Sequence, residues 1–223
     1  IDQLVNIKKE AEEEKNPEKK LLLKQLKASK KEKEALEKEL DKEKDKNKRQ
    51  AFLLKREANN HFRLGIKHHQ AEEYLEAAEE YKTASELKPE YSEPYNNWGV
   101  ALVELAKTNS GNEAEELYKE AFEKYKLATT YKKDKHQAYN NWGLALVELA
   151  KTKSGSEAET LYNEAVEKFK LAIKHGGDAY YLACLCAIRN QKAEALKYLE
   201  QTLARNEITV DFVEQDEDWK NLR

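Results

Sequence analysis

Apolar residues follow two rhythms along this chain. Between residues 95 and 131, Trp98, Ala101, Leu102 and Leu105 fall at helical steps, and so do Leu117, Ala121, Phe122, Tyr125 and Ala128. A polar break at Thr108-Asn109-Ser110-Gly111 separates the two groups. Each group keeps one face of a helix apolar, so the stretch predicts two helices joined by a turn. The same text returns 44 residues later: of 35 aligned positions in 95–129 and 139–173, 27 are identical. A repeat of that length implies stacked helical hairpins, none of which can bury its apolar face alone. Upstream the rhythm changes. Leu22, Leu26, Leu36, Leu40 and Leu54 share one heptad register, whose other positions are Ser29, Lys33, Glu43, Asn47 and Gln50. That half-apolar seam predicts one long helix from Glu18 to about His68 that forms a weak coiled coil. Asn16-Pro17 separates it from a short amphipathic helix over residues 1–15, and Pro17 suits a first helical turn.

Local signals refine the hairpins. Gly111 and Gly155 suit a chain reversal, and Asn112 and Ser156 are the expected N-caps of the helices that follow. Gly99 and Gly143 lie inside first helices, where glycine costs about 1 kcal/mol against alanine. A cost met in both copies points to close approach of the paired helix.

The residues at these positions resemble the tetratricopeptide repeat family, which places a large residue and Gly in the first helix, then Ala, an aromatic and Ala in the second, then Pro. Leu64-Gly65, Ala77, Tyr81, Ala84 and Pro89 match over residues 58–91. Trp98-Gly99, Ala121, Tyr125 and Ala128 match in a second unit, and Trp142-Gly143, Ala165, Phe169 and Ala172 in a third. A fourth keeps Leu182-Ala183, Ala195 and Leu199, with Ala183 in place of the glycine. The expected fold is therefore all-α: a charged helical arm over 1–57, a solenoid over 58–205 with units at about 58–91, 92–135, 136–175 and 176–205, and a capping segment over 206–223. The step from glycine to the second-helix alanine is 12 residues in the first unit and 22 in the next two. Longer helices are the expected outcome, with Tyr118 and Tyr162 packed inside the lengthened hairpins.

The resemblance implies binding of a peptide or partner helix in a concave groove lined by first helices. Position matching puts Asn59, Phe62, Arg63, Ile66 and His69 there from the first unit, Asn96, Asn97, Val100, Val103 and Glu104 from the second, and Gln137, Asn140, Asn141, Leu144, Val147 and Glu148 from the third. A side-chain amide offers both donor and acceptor to a peptide backbone. The same amides could instead tie neighbouring helices together. One subfamily clamps terminal carboxylates with lysines, asparagines and an arginine. Only Asn97 keeps that pattern, because Phe62, Ile66, Gln137 and Asn141 stand at the other positions.

Composition sets the remaining bounds. Charged residues are 37% and apolar ones 39%, with net charge −3, which suits exposed helices and gives no field that would draw nucleic acid. From Lys19 to Arg56 there are 15 Lys/Arg against 7 Asp/Glu. Acids threaded among these bases, with few aromatics, favour a spacer or coiled coil over a nucleic-acid or anionic-lipid contact. Cys184 and Cys186, two apart, suit neither a disulfide nor a metal, and as reduced buried thiols they imply a cytoplasmic or other reducing compartment. His61, His68 and His69 show no Cys or carboxylate at ligand spacing. No catalytic set, cofactor motif or metal site is expected. The chain starts at Ile1 and has no methionine, the mark of a fragment or processed product. The leading expectation is a non-enzymatic adaptor binding a protein in the groove, with residues 18–57 available for a homodimer or other coiled-coil partner. The alternatives are a targeting or regulatory part of a larger enzyme or membrane-anchored protein, and a basic-helix module.

Overall fold

The computed structural model describes residues 17–131, 136–205 and 208–219; the expected helix over 1–15 lies outside them. Among the described residues there are nine α-helices and no strand. They are α1 (Pro17–Gln70), α2 (Tyr74–Leu87), α3 (Ser92–Thr108), α4 (Gly111–Tyr131), α5 (His136–Lys151), α6 (Gly155–Lys174), α7 (Tyr180–Ile188), α8 (Lys192–Ala204) and α9 (Val210–Gln215), followed by a 3₁₀ turn at Glu217–Trp219. The fold is an all-α helical repeat.

Contacts divide the chain into Ile1–Leu54 and Lys55–Arg223. In the first unit α1 opens at Pro17, as its missing N–H allows. Its side chains from Ala28 to Leu54 are exposed, Leu36 and Leu40 among them. Nothing in that stretch is helical by virtue of a buried face. Alanine, leucine, lysine and glutamate carry it through high helix propensity and near-neighbour ion pairs such as Lys44–Asp41 at 3.7 Å.

The second unit is built on one repeated contact. A Cβ added at Gly65 would lie 2.7 Å from the Tyr81 ring, one at Gly99 would lie 2.6 Å from Tyr125, and one at Gly143 would lie 2.4 Å from Phe169. In each of these three hairpins the aromatic of the second helix occupies the space a first-helix side chain would fill. Ala77, Ala121 and Ala165, four residues before each ring, are wholly buried and bring the second helix close. In the fourth hairpin both partners change together: Ala183 takes the glycine position and Leu199 the ring position, so a methyl fits where the ring is gone.

The extra residues of the middle hairpins lengthen their helices, as expected: α3 and α4 have 17 and 21 residues and α5 and α6 have 16 and 20, against 14 in α2. Tyr118 is buried between them with Leu102, Ala106 and Leu149, and Tyr162 is half-buried. Gly111 and Gly155 adopt φ of +62° and +58°, the left-handed region that favours glycine. They are themselves the first residues of α4 and α6, which corrects the expected caps. Asn112 and Ser156 lie inside the first turn, and the N-cap of α6 is Ser154, which makes no side-chain capping bond.

Next-nearest contacts join α3 to α5 and α5 to α7, so first helices line the inner face and second helices the outer. At the C-terminal end, Val213 and Trp219 are buried and Ile208 is partly buried against the last hairpin. Thr209 caps α9 by accepting a hydrogen bond from Phe212 N–H.

Gly99→Ala should destabilise the fold by about 1–3 kcal/mol in urea unfolding, the usual cost of overpacking. Combining it with Tyr125→Leu, which copies the fourth hairpin, should give a cost smaller than the sum of the two single changes.

Candidate binding groove

Asparagines on the inner face form a ladder between hairpins. Asn96 on α3 donates to Asn97 at 3.1 Å, and Asn141 on α5 donates to Asn96 at 3.1 Å. Asn97 also bonds the Tyr81 hydroxyl, whose pKa is raised by burial and drawn back in part by that bond. Asn140 occupies the position of Asn96 one hairpin later, but the residue that would answer it is Tyr181 rather than asparagine. Its Oδ1 is buried with no hydrogen-bond partner among the described residues, and the residue is only 6% exposed. The ladder ends where the fourth hairpin begins.

The other expected groove residues are distributed unevenly. Asn59, Phe62, Ile66, Val100, Glu104 and Glu148 are half-buried, while Arg63, Gln137 and Leu144 are exposed. Phe62 is taken up by packing, with ring centroids 5.8 Å from Tyr81 and 5.3 Å from Tyr91. Glu104 and Glu148 pair with Lys107 and Lys151, each at 2.8 Å. Trp98 and Trp142 stay in the interhelical core, each under a lysine ammonium (Lys124 at 3.8 Å, Lys168 at 3.7 Å).

Beyond the ladder the inner face becomes apolar. A cavity of about 200 Å³ lies between Leu144 and Val147 of α5, Tyr181, Leu185 and Ile188 of α7, and Phe212 of α9, with Asp216 and Asp218 at its edge. Phe212 is 53% exposed beside it. Leu144 and Val147 of these were expected in the groove. The excess of apolar residues after 206 signalled a capping segment, but not that one of them, Phe212, would face a cavity.

Burial pushes the Cys184 thiol up to about 12. Its sulfur lies 3.9 Å from Asp216, and these two with Asp218 are the one group of potential metal ligands among the described residues. Asp216 accepts a 2.5 Å hydrogen bond from Tyr180, and a thiol kept protonated is a poor ligand. The histidines do meet carboxylates, against expectation: His61 Nδ1 lies 2.6 Å from Glu80 and His68 Nδ1 2.6 Å from Glu73. The helices bring together residues that sequence spacing kept apart, as single pairs and not as ligand sets.

A more polar cavity of about 540 Å³ lies at the tips of the long hairpins, where Lys153 crosses from the α5–α6 turn to Glu115 on α4. Hydrogen bonds from Lys119 and Lys153 hold the Glu115 carboxyl at about 2.

The family model for the plant-specific mitochondrial import receptor subunit TOM20 matches residues 69–180. The chain belongs to this family. No curated protein matches the chain as a relative. The family is one of receptors rather than catalysts, its partners are proteins, and its fold is tetratricopeptide-like. Its mitochondrial setting overturns the expected cytoplasmic or other reducing compartment. That expectation rested on Cys184 and Cys186, which are packed as small core residues whose burial accounts for their free state. Among the described residues no helix is long and apolar enough to cross a membrane. The match runs from the end of α1 through the two long hairpins to the start of α7. It includes the Leu144 wall of the apolar cavity and stops short of the α7–α9 wall.

Two outcomes test this geometry. Asn96→Ala should cost about 1–3 kcal/mol, since it breaks two part-buried bonds, and Asn140→Ala less than half of that, since its oxygen has nothing to lose; urea unfolding reads both. Glu115 has a folded pKa below its ordinary 4.5, so the stability it contributes is complete above that value and is lost as pH falls towards about 2. Glu115→Gln should therefore flatten the acid limb of urea midpoints measured across that window.

Proposed function

We propose that this chain binds the targeting segment of a mitochondrial precursor on its inner face, as a short amphipathic helix whose apolar residues enter the cavity bounded by Leu144, Ile188 and Phe212. The observation that supports this reading most is the exposure of Leu144 and Phe212 on either side of an apolar cavity with carboxylates at its edge. An amphipathic helix offers apolar anchors at i, i+3 and i+4 to such a groove and keeps its basic residues near acidic groups. Glu104 and Glu148, each paired with a lysine three residues on, lie along the same face towards the second hairpin. Under this reading the four hairpins are tetratricopeptide units over about 58–205, closed by the segment from 206. Asn96, Asn97, Asn140 and Asn141 set the spacing of the helices beneath the peptide, and Val100 and Leu144 meet it. Arg63, Asn59, Ile66 and Gln137 flank the groove towards its ends.

The test is fluorescence anisotropy with a labelled basic amphipathic peptide, beside a second peptide of the same composition in scrambled order. Burying one large apolar side chain is worth about 1.5–3 kcal/mol, so Leu144→Asp and Phe212→Ser should each weaken binding about tenfold or more with helicity unchanged. Equal affinity for the scrambled peptide, or no effect of either substitution, would overturn the reading.

A further inference from the structure

We propose that the N-terminal helix pairs with a second copy of itself, antiparallel, in the register that sets residue 38 of one copy opposite residue 38 of the other. The helix carries Leu36 and Leu40, 60% and 54% exposed, on one face. The same face holds Ser29, Lys33, Glu43 and Asn47 at alternating steps of three and four. Read outward from its centre, this seam is nearly a palindrome. In the proposed register Leu36 meets Leu40 of the other copy, Lys33 meets Glu43, and Ser29 meets Asn47, and two-fold symmetry makes every pair occur twice. Apolar positions face apolar ones, polar face polar, and both charged seam positions face the opposite sign. Continued to its ends, the register sets Leu54 against position 22, a leucine, and Gln50 against position 26, the one mismatch. The seam from 22 to 54 is about 50 Å long.

Other pairings lose this agreement. A parallel, in-register pair sets Lys33 against Lys33 and Glu43 against Glu43, two like-charge contacts in the seam. An antiparallel pair centred near residue 45 matches Leu36 with Leu54 but leaves Leu40 against Gln50 and Glu43 against Asn47. Polar seam residues choose orientation and register in coiled coils at a cost in stability, and this seam is half polar. The choice of orientation is therefore sharp and the association modest.

Sedimentation equilibrium on the full chain across micromolar concentrations should show a reversible dimer. Lys33→Glu and Glu43→Lys should each weaken it at least about tenfold, because each puts like charges together, and the double reversal should restore it. In a parallel pair each single change only swaps one like-charge contact for another. Chains carrying Ser29→Cys mixed with chains carrying Asn47→Cys should form a disulfide with each other, and neither should do so alone; the native Cys184 and Cys186 are buried. A monomer throughout the concentration range, including one that instead binds anionic vesicles, overturns the proposal. So does self-crosslinking of the Ser29→Cys chain.

Discussion

The distance between the two helices of the first three hairpins is set by a ring packed against a glycine. Gly65, Gly99 and Gly143 accept Tyr81, Tyr125 and Phe169 at a range where any Cβ would collide. The glycine's lost helix propensity is offset by burying an aromatic body, worth several times as much. Because this contact sits near the base of each hairpin, the helices can grow at the other end without disturbing it. The middle hairpins do so, filling the added length with Leu102, Ala106, Tyr118 and Leu149 and tying their tips together through Lys153 and Glu115.

Contacts between hairpins change character along the inner face. Between the second and third they are amide to amide, Asn141 to Asn96. Between the third and fourth Tyr181 replaces the asparagine, stacks on Phe169 at 6.0 Å, and leaves Asn140 unanswered. Losing a polar rung costs stability, yet it leaves the face beside it apolar. Leu144, Val147 and Leu185 then bound a cavity instead of a hydrogen-bonded seam. The inner face therefore begins with amides and ends with an apolar hollow, so its two ends are chemically distinct.

The repeated hairpins were legible in the sequence because their signals are local. Gly99 and Gly143 inside apolar helical periods require a close partner, and the 44-residue period places that partner. The caps were not legible because α4 and α6 begin at Gly111 and Gly155 themselves, each with φ in the left-handed region, which puts Asn112 and Ser156 one residue inside the helix. The asparagine ladder was only half legible. Paired asparagines announce polar contact, but whether an amide meets a neighbouring helix or a ligand depends on interhelical distance, which no spacing encodes. Phe212 was read as part of a cap. Val213 beside it does pack into the core, and adjacent residues on a short helix point apart, so one caps while the other is left to the cavity.

The family match and the cavity divide the inner face differently. Residues 69–180 carry the hairpin geometry, the ladder and one wall, Leu144 with Val147. The opposite wall, from Tyr181 to Phe212, and the edge at Asp216 and Asp218 lie beyond the match. A rigid wall of helix α5 facing a wall built from the nine-residue α7 and the six-residue α9 is an asymmetric arrangement. Short helices owe little to intrinsic propensity and depend on tertiary packing, here on Val213 and Trp219 against the last hairpin. Shape on the matched side is therefore fixed by the glycine–ring contacts that every long hairpin shares. Shape on the other side is free to vary with a few side chains on α9 without disturbing those contacts. The physical freedom to vary this face therefore lies on the side of Phe212.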